Sequence, residues 1–291
     1  MCEILITGAK GQLGVEFCRQ LKQRAIGLGR DELDITRRDH IDATLLQYRP
    51  AVVVNCAAYT AVDRAETEAA LCHDVNAHAV EYLSRACQKM GVVLVQISTD
   101  GVFGASCNPP RPWKEVDTPS PLNAYARSKL AAEAAVKQFE SHFIVRTCGL
   151  FGSGRHHASF VEKMLSLAIK RTPLAVVNDQ TCSPSHVADV VQATLFLLST
   201  DQFGTYHIVN QGETTWYDYA CEIFRLANMS VDVKPVASAD FNAPALRPMY
   251  SVLDTSKYHR LGGPSLRSWR DALAEYLRIR TGVENYARVG F

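Results

Sequence analysis

Tyr125 and Lys129 stand four residues apart in the run Tyr125-Ala126-Arg127-Ser128-Lys129. The segment from about 123 to 139 is patterned as a helix, and on a helix that spacing puts the phenol and the ammonium on one face. A free tyrosine has a pKa of roughly 10, which makes it a poor base near neutrality. A cation a few ångströms away favours the phenolate, so Lys129 is expected to lower the Tyr125 pKa. The same ammonium can hold the ribose of a nicotinamide nucleotide. Alone, a Tyr-x-x-x-Lys pair occurs by chance on many helices. Its partner is Ser98-Thr99-Asp100, directly after the apolar run 92–97. Ligands of open α/β sheets sit beyond the carboxyl ends of the strands, so Thr99 is placed to hydrogen-bond a substrate carbonyl and turn it towards Tyr125. A plain Ser/Thr turn cap is the competing explanation for these hydroxyls.

The elements that must position these groups follow from hydrophobic periodicity. Strands are expected over 3–7, 25–28, 51–55, 92–97 and 142–146, with helices over 12–22, 69–90 and 123–139. The fully apolar run 51–54 fits a strand buried on both faces, and strand alternating with helix predicts an α/β fold, a doubly wound parallel sheet of the Rossmann type. After Gly149 the alternation loosens. Helices are expected over 159–170, 187–198, 215–227 and 268–281, a strand over 204–210, and a surface loop over 235–248, where Pro, Asn and Asp punctuate the chain. The expected plan is a nucleotide-binding domain over 1–149, joined by the strand near 204–210, with a smaller, discontinuous C-terminal substrate lobe over 150–291.

Gly8-Ala9-Lys10-Gly11-Gln12-Leu13-Gly14 links the first strand to the first helix with G-x-x-G-x-x-G spacing. Glycines there let the backbone turn tightly and approach a pyrophosphate held at a helix N-terminus. The position between strand and helix, more than the spacing, marks a dinucleotide loop. The second strand ends at Gly29-Arg30-Asp31. Arg30 suits the 2′-phosphate of NADPH, with a solvated surface arginine as the alternative, while Asp31 suits the ribose of NADH. NADPH is the expected cofactor, with NADH left open.

Composition excludes other classes. The 291 residues carry 31 Lys plus Arg against 30 Asp plus Glu, a formal charge of +1, with no basic stripe for nucleic acid. The apolar runs 51–56 and 92–97 are too short to span a membrane, and Glu3 with the glycine loop interrupts any signal peptide, so a cytoplasmic protein is expected. Nine cysteines with no Cys-x-x-Cys pair predict reduced thiols and no metal site.

With these residues in view, the chain resembles the extended short-chain dehydrogenase/reductase family, and within it the dTDP-4-dehydrorhamnose reductases. The resemblance runs over nearly the whole chain. It rests on Gly11-Gln12-Leu13-Gly14, Leu33-Asp34-Ile35-Thr36, the run from Asn55-Cys56-Ala57-Ala58-Tyr59 to Glu66, Asn76-Ala77, Ser98-Thr99-Asp100 and Ser120 to Tyr125. Arg146-Thr147, Val177-Asn178-Asp179-Gln180 and Arg247-Pro248 with Ser251 and Leu253 complete it. It implies reduction of the C4 ketone of dTDP-4-dehydro-L-rhamnose to dTDP-L-rhamnose, with hydride from the nicotinamide and a proton from Tyr125. In that scheme Thr99 binds the same oxygen, and Lys129 supports Tyr125 and the ribose. Asp34 and Ile35 lie beside the adenine, and Ala57, Ala58, Tyr59 and Ser98 line the cofactor pocket. Val62, Asp100, Asn178 and Gln180 face the nucleotide sugar. Arg247 either pairs with the substrate diphosphate or forms a structural salt bridge. A homodimer is left open.

Three departures bear on the sugar. Gly101 replaces an aromatic after Ser-Thr-Asp, Gly104-Ala105 follows Phe103 where an Asp-Gly pair is usual, and Cys148-Gly149 follows Arg146-Thr147 where the family has a tryptophan. Loss of two large rings predicts a wider sugar pocket. Two other readings remain at this stage. One is an epimerase or dehydratase with retained NAD, whose relatives usually carry an aromatic-aliphatic pair in place of Gln12-Leu13. The other is a non-catalytic regulatory subunit, for which an intact Thr99, Tyr125 and Lys129 would have no use.

Overall fold

The structure, a computed structural model, describes residues 3–104, 110–152, 159–170 and 173–289; Ala105 of the departures above lies outside them. The chain begins with β1 (Ile4–Thr7), α1 (Gln12–Leu21), β2 (Ala25–Leu28), α2 (Arg38–Tyr48) and β3 (Val52–Asn55). It continues with α3 (Ala69–His73), a π-helical turn (Asp74–His78), α4 (Ala79–Met90), β4 (Val93–Thr99), α5 (Ala124–Val136) and β5 (His142–Thr147). Then come α6 (Phe160–Lys170), β6 (Leu174–Val177), β7 (Thr181–Cys182), α7 (Val187–Leu197), β8 (Gly204–His207), β9 (Thr214–Thr215) and α8 (Trp216–Leu226). The last elements are β10 (Val233–Val236), α9 (Ser238–Phe241), α10 (Ser256–Arg260) and α11 (Trp269–Val289).

Six parallel strands form the main sheet in the order β2-β1-β3-β4-β5-β8. Successive side chains on a strand point to opposite faces, so both faces need cover. Ile6, Val54, Val95 and Val145 pack on one face against Phe17 of α1 and Val187 and Val191 of α7. Leu5, Val53, Leu94 and Ile144 pack on the other against Ile41 of α2, Leu83 of α4 and Val136 of α5. Thus α7 covers the main sheet although its sequence position suggested the substrate lobe. The lobe has its own core of Val161, Leu174, Tyr219, Phe224, Trp269 and Leu273.

The expected loop over 235–248 is partly regular. Its start belongs to β10, which pairs in parallel with β6, and α9 follows. Pro235 stands in that two-stranded pair, where proline is tolerated because its missing N–H disrupts no central ladder. The expected 69–90 helix is also modified, since its middle widens into the π-helical turn.

The carboxyl ends of the strands are polar and buried. Thr7, Asn55 and Gln96 are register partners on β1, β3 and β4, each 0% exposed. Thr7 donates to Asn55 Oδ1 (2.5 Å), Asn55 donates to Gln96 Oε1 (2.7 Å), and Gln96 donates to the Ile97 carbonyl (2.8 Å). Two residues further along β4 and β5, Ser98 and Arg146 meet at a fully buried ion pair. Glu133 of α5 accepts Arg146 Nη2 at 2.6 Å and Nε at 2.9 Å, and Ser98 Oγ at 2.6 Å. Burial pushes the Glu133 carboxyl up, but the Arg146 hydrogen bonds and charge outweigh it and hold it below its ordinary value.

Removing one partner of a buried pair leaves an uncompensated charge, which costs about 3–5 kcal/mol. Arg146→Met is therefore expected to lose stability on that order in urea denaturation. A loss under about 1 kcal/mol would mean that the pair does not anchor α5.

Candidate active site

Tyr125, Lys129 and Glu133 follow one another at four-residue intervals on α5, so one helix face carries all three. With Glu133 bound to β5, Lys129 comes to lie under the end of β4. It is 3% exposed and donates to the Ile97 carbonyl at 2.6 Å. Asn123 caps the helix by accepting the Ala126 N–H at 2.8 Å, and Glu66 accepts the Ala124 N–H at 2.7 Å. This end of α5 is therefore fixed where Tyr125 meets the sheet.

Two adjoining cavities lie along the carboxyl ends of the strands. The first, about 390 Å³, brings Ser98, Thr99, Asp100, Tyr125 and Lys129 together with Gly11, Gln12 and Leu13. The second, about 510 Å³, holds Gly8, Arg30, Asp34, Ile35 and Tyr59. Gly11, Ala57 and Ala58 line both. Of the predicted cofactor residues, only Gly14 lies behind the wall. A Cβ there would come within 2.4 Å of the Gly8 carbonyl oxygen, so its role is close helix–strand packing. Gly8 itself has φ +60°, and a Cβ would stand 2.6 Å from the Ala57 nitrogen.

A dinucleotide fits this cradle. The order of strands reverses between β1 and β3, which opens a crevice at that point. The N-cap of α1 is Gly11, with no side-chain hydrogen bond and no acidic residue in the first turn. Its amide groups and the positive end of the helix dipole are thus available to phosphate. At the far end Lys10 reaches Asp31 at 2.8 Å, and Arg30 stands 3.9 Å from Asp34. Lys10, Asn55, Cys56 and Thr147 also line the cavities and were not singled out as site residues from sequence. Lys10 was legible as the one cation inside the glycine loop.

Asn76 ties the second cavity to α5. It accepts the Tyr59 N–H at 2.8 Å, and donates to the Tyr59 carbonyl at 3.0 Å and to Ser128 Oγ at 2.9 Å. The π-helical turn is what presents this side chain, a frequent use of such turns.

Several expectations need correction. Tyr125 is not drawn down by Lys129. Burial raises its pKa, the Asp100 charge adds to the rise, and a hydrogen bond with Thr99 opposes it. Lys129 is shifted instead, to about 8, because burial disfavours the ammonium. Ser98 lines the first cavity, but its hydroxyl is committed to Glu133. Asp100 also lines it, and its carboxylate accepts Ser251 Oγ at 2.6 Å and Thr99 Oγ1 at 3.1 Å, which makes it a support for Thr99. Arg247 takes the structural alternative, pairing with Asp63 at 2.9 Å. Val62, Asn178 and Gln180 line neither cavity. Gly149 lines the first cavity. A Cβ there would meet Pro184 at 3.2 Å and the Trp216 indole at 3.3 Å.

The family model described as RmlD substrate binding domain matches residues 2–281. A dTDP-4-dehydrorhamnose reductase of Streptomyces griseus is 41% identical over 282 residues, covering 93% of this chain and 91% of that protein. A probable dTDP-4,6-dihydroxy-2-methyloxan-3-one 4-ketoreductase of Streptomyces antibioticus is 39% identical, covering 93% of each. Among solved structures, the dTDP-4-dehydrorhamnose reductase of Bacillus anthracis in complex with NADP superposes with a TM-score of 0.90 at 37% identity, covering 95% of this chain and 99% of that one. The chain belongs to the RmlD substrate-binding-domain family, alongside dTDP-4-dehydrorhamnose reductases and a related sugar ketoreductase.

Proposed function

We propose that this protein is an NADPH-dependent reductase of dTDP-4-dehydro-6-deoxysugars, with dTDP-4-dehydro-L-rhamnose as substrate and dTDP-L-rhamnose as product. The observation that carries the reading is the convergence of Thr99, Tyr125 and Lys129 with the glycine loop on one cavity. Relatives named as reductases of such sugars, and a similar structure solved with NADP, support it. It makes the chain a cytoplasmic biosynthetic enzyme.

When bound, the reduced nicotinamide supplies a hydride to the carbonyl carbon. The residues do the rest. Thr99 and Tyr125 receive the ketone oxygen, and Tyr125 transfers its phenolic proton to the alkoxide as it forms. A raised pKa keeps Tyr125 protonated, the state a proton donor needs. Lys129 holds the ribose, and its charge favours the phenolate left behind. Asp100 keeps Thr99 in place and is itself held by Ser251 from the substrate lobe.

Two measurements test the scheme. Tyr125→Phe is expected to lower turnover by about 10²–10⁴-fold with the NADPH dissociation constant nearly unchanged, read by NADPH absorbance against dTDP-, UDP- and GDP-4-keto sugars. Full activity in this variant would sink Tyr125 as the donor, and preference for a UDP or GDP sugar would sink the dTDP assignment. The second concerns Lys129, which loses its proton near 8 when folded and near the ordinary 10.5 when unfolded. The unfolded state then binds more protons between those values, so the stability owed to Lys129 rises with pH across that window. Denaturation of the protein and of Lys129→Met from pH 7 to 10 should show the difference moving in favour of the parent. A flat or opposite trend contradicts the burial of an ammonium there.

A further inference from the structure

Beside β8, the edge strand of the main sheet, lies a cavity of about 470 Å³ that shares no residue with the two described above. Four cations line it: Lys114 from the segment before α5, Lys137 just after α5, and Lys257 and Arg260 from α10. Glu115 is the single carboxylate among the described lining residues, and it accepts the His207 N–H at 3.0 Å. The nearby acids are turned to other partners. Asp117 accepts Arg111 Nη1 at 2.8 Å and the Lys114 N–H at 2.7 Å, and Asp254 accepts the Ser256 N–H at 2.7 Å. Lys137 stands 3.6 Å from Glu133, a carboxylate that Arg146 already holds. Lys114, Lys257 and Arg260 form no ion pair among the described residues.

Lys257 is also held in place. Its Nζ donates to the Thr205 carbonyl at 2.7 Å and lies 4.1 Å from the centre of the Tyr206 ring. An ammonium has three donors, so two remain for a ligand. Burial lowers the Lys257 pKa, the Glu115 charge opposes this, and Arg260 adds to the fall. At the start of β5, burial lowers the His142 pKa, a hydrogen bond to Phe139 opposes it, and the Lys137 and Lys257 charges lower it further. Charges from two separate elements therefore act on one point, and a concave wall of one sign concentrates counter-ions.

We propose that this cavity binds a di- or triphosphate group, separately from the cradle of the active site. Lysine ammoniums are compact point charges for phosphate, and a guanidinium can grip two phosphate oxygens at once. Three unpaired cations on one wall suit a group carrying several charges better than a single carboxylate. The volume lies in the range of small-ligand sites, about 300–1,000 Å³. The proposal does not depend on the reductase reading.

The test titrates pyrophosphate and tripolyphosphate by calorimetry into the protein saturated with NADPH, which keeps the glycine-loop cradle filled. Sodium sulfate at matched ionic strength is the control. The parent is expected to bind, and Lys257→Gln and Arg260→Gln should each weaken binding about five- to tenfold, the loss of one charge-assisted contact. Lys234→Gln, on an exposed position of β10, should match the parent, and NADPH affinity should be the same in every variant. Arg260 is exposed, so its variant keeps the test open should Lys257→Gln fail to fold. ATP in a parallel titration separates the two sources of the group: affinity above that of tripolyphosphate marks a nucleotide, and equal or lower affinity a free polyphosphate, each in keeping with the inference. No binding by the parent, equal affinity in Arg260→Gln and the parent, or the same response to sulfate overturns it.

Discussion

The buried Glu133–Arg146 pair sets the position of everything the site uses. It joins the middle of α5 to β5, and Ser98 brings β4 into the same bond. Lys129 and Tyr125 lie one and two helical steps nearer the cavity on the same face, so their placement is inherited from that anchor. The Ile97 carbonyl then couples it to the cofactor side, accepting both Lys129 at 2.6 Å and Gln96 at 2.8 Å. From Gln96 the chain of amides runs through Asn55 to Thr7, beneath the glycine loop. A half-satisfied polar network in a core is costly. This one is closed link by link, which lets a layer of buried polar groups act as a rigid floor for two cavities.

Electrostatics above that floor favour a donor at rest. Burial and the Asp100 charge keep the Tyr125 phenol protonated, and the buried Lys129 gives up its proton more readily than a free lysine. The sequence spacing had suggested a phenol already tuned towards phenolate. The difference has a physical cause: both groups are buried, and desolvation disfavours the phenolate and the ammonium alike. For reduction, this ground state suits the chemistry, because the proton is needed only as negative charge develops on the ketone oxygen.

Much of this was legible in the chain. Fully apolar strands such as Val52-Val53-Val54, the loop Gly8 to Gly14 and the strand-end Thr99 carry strong local signals, and the structure assembles them on one sheet. What escaped was non-local. The pairing of β10 with β6 depends on a contact between segments far apart in sequence, and Pro235 reads locally as punctuation. The bond from Ser251 to Asp100 joins residues distant in the chain and leaves no local signal.

The central claim is that hydride passes from a dissociable nicotinamide to C4 of a nucleotide sugar at Thr99 and Tyr125. The most direct measurement is turnover of dTDP-4-dehydro-L-rhamnose with [4,4-²H₂]NADPH, followed by NMR of the sugar product and of the released nucleotide. The account predicts one deuterium at sugar C4, none elsewhere on the ring, and one oxidised nucleotide released per product. A product without deuterium at C4, or label that returns to the cofactor without net oxidation, would contradict it.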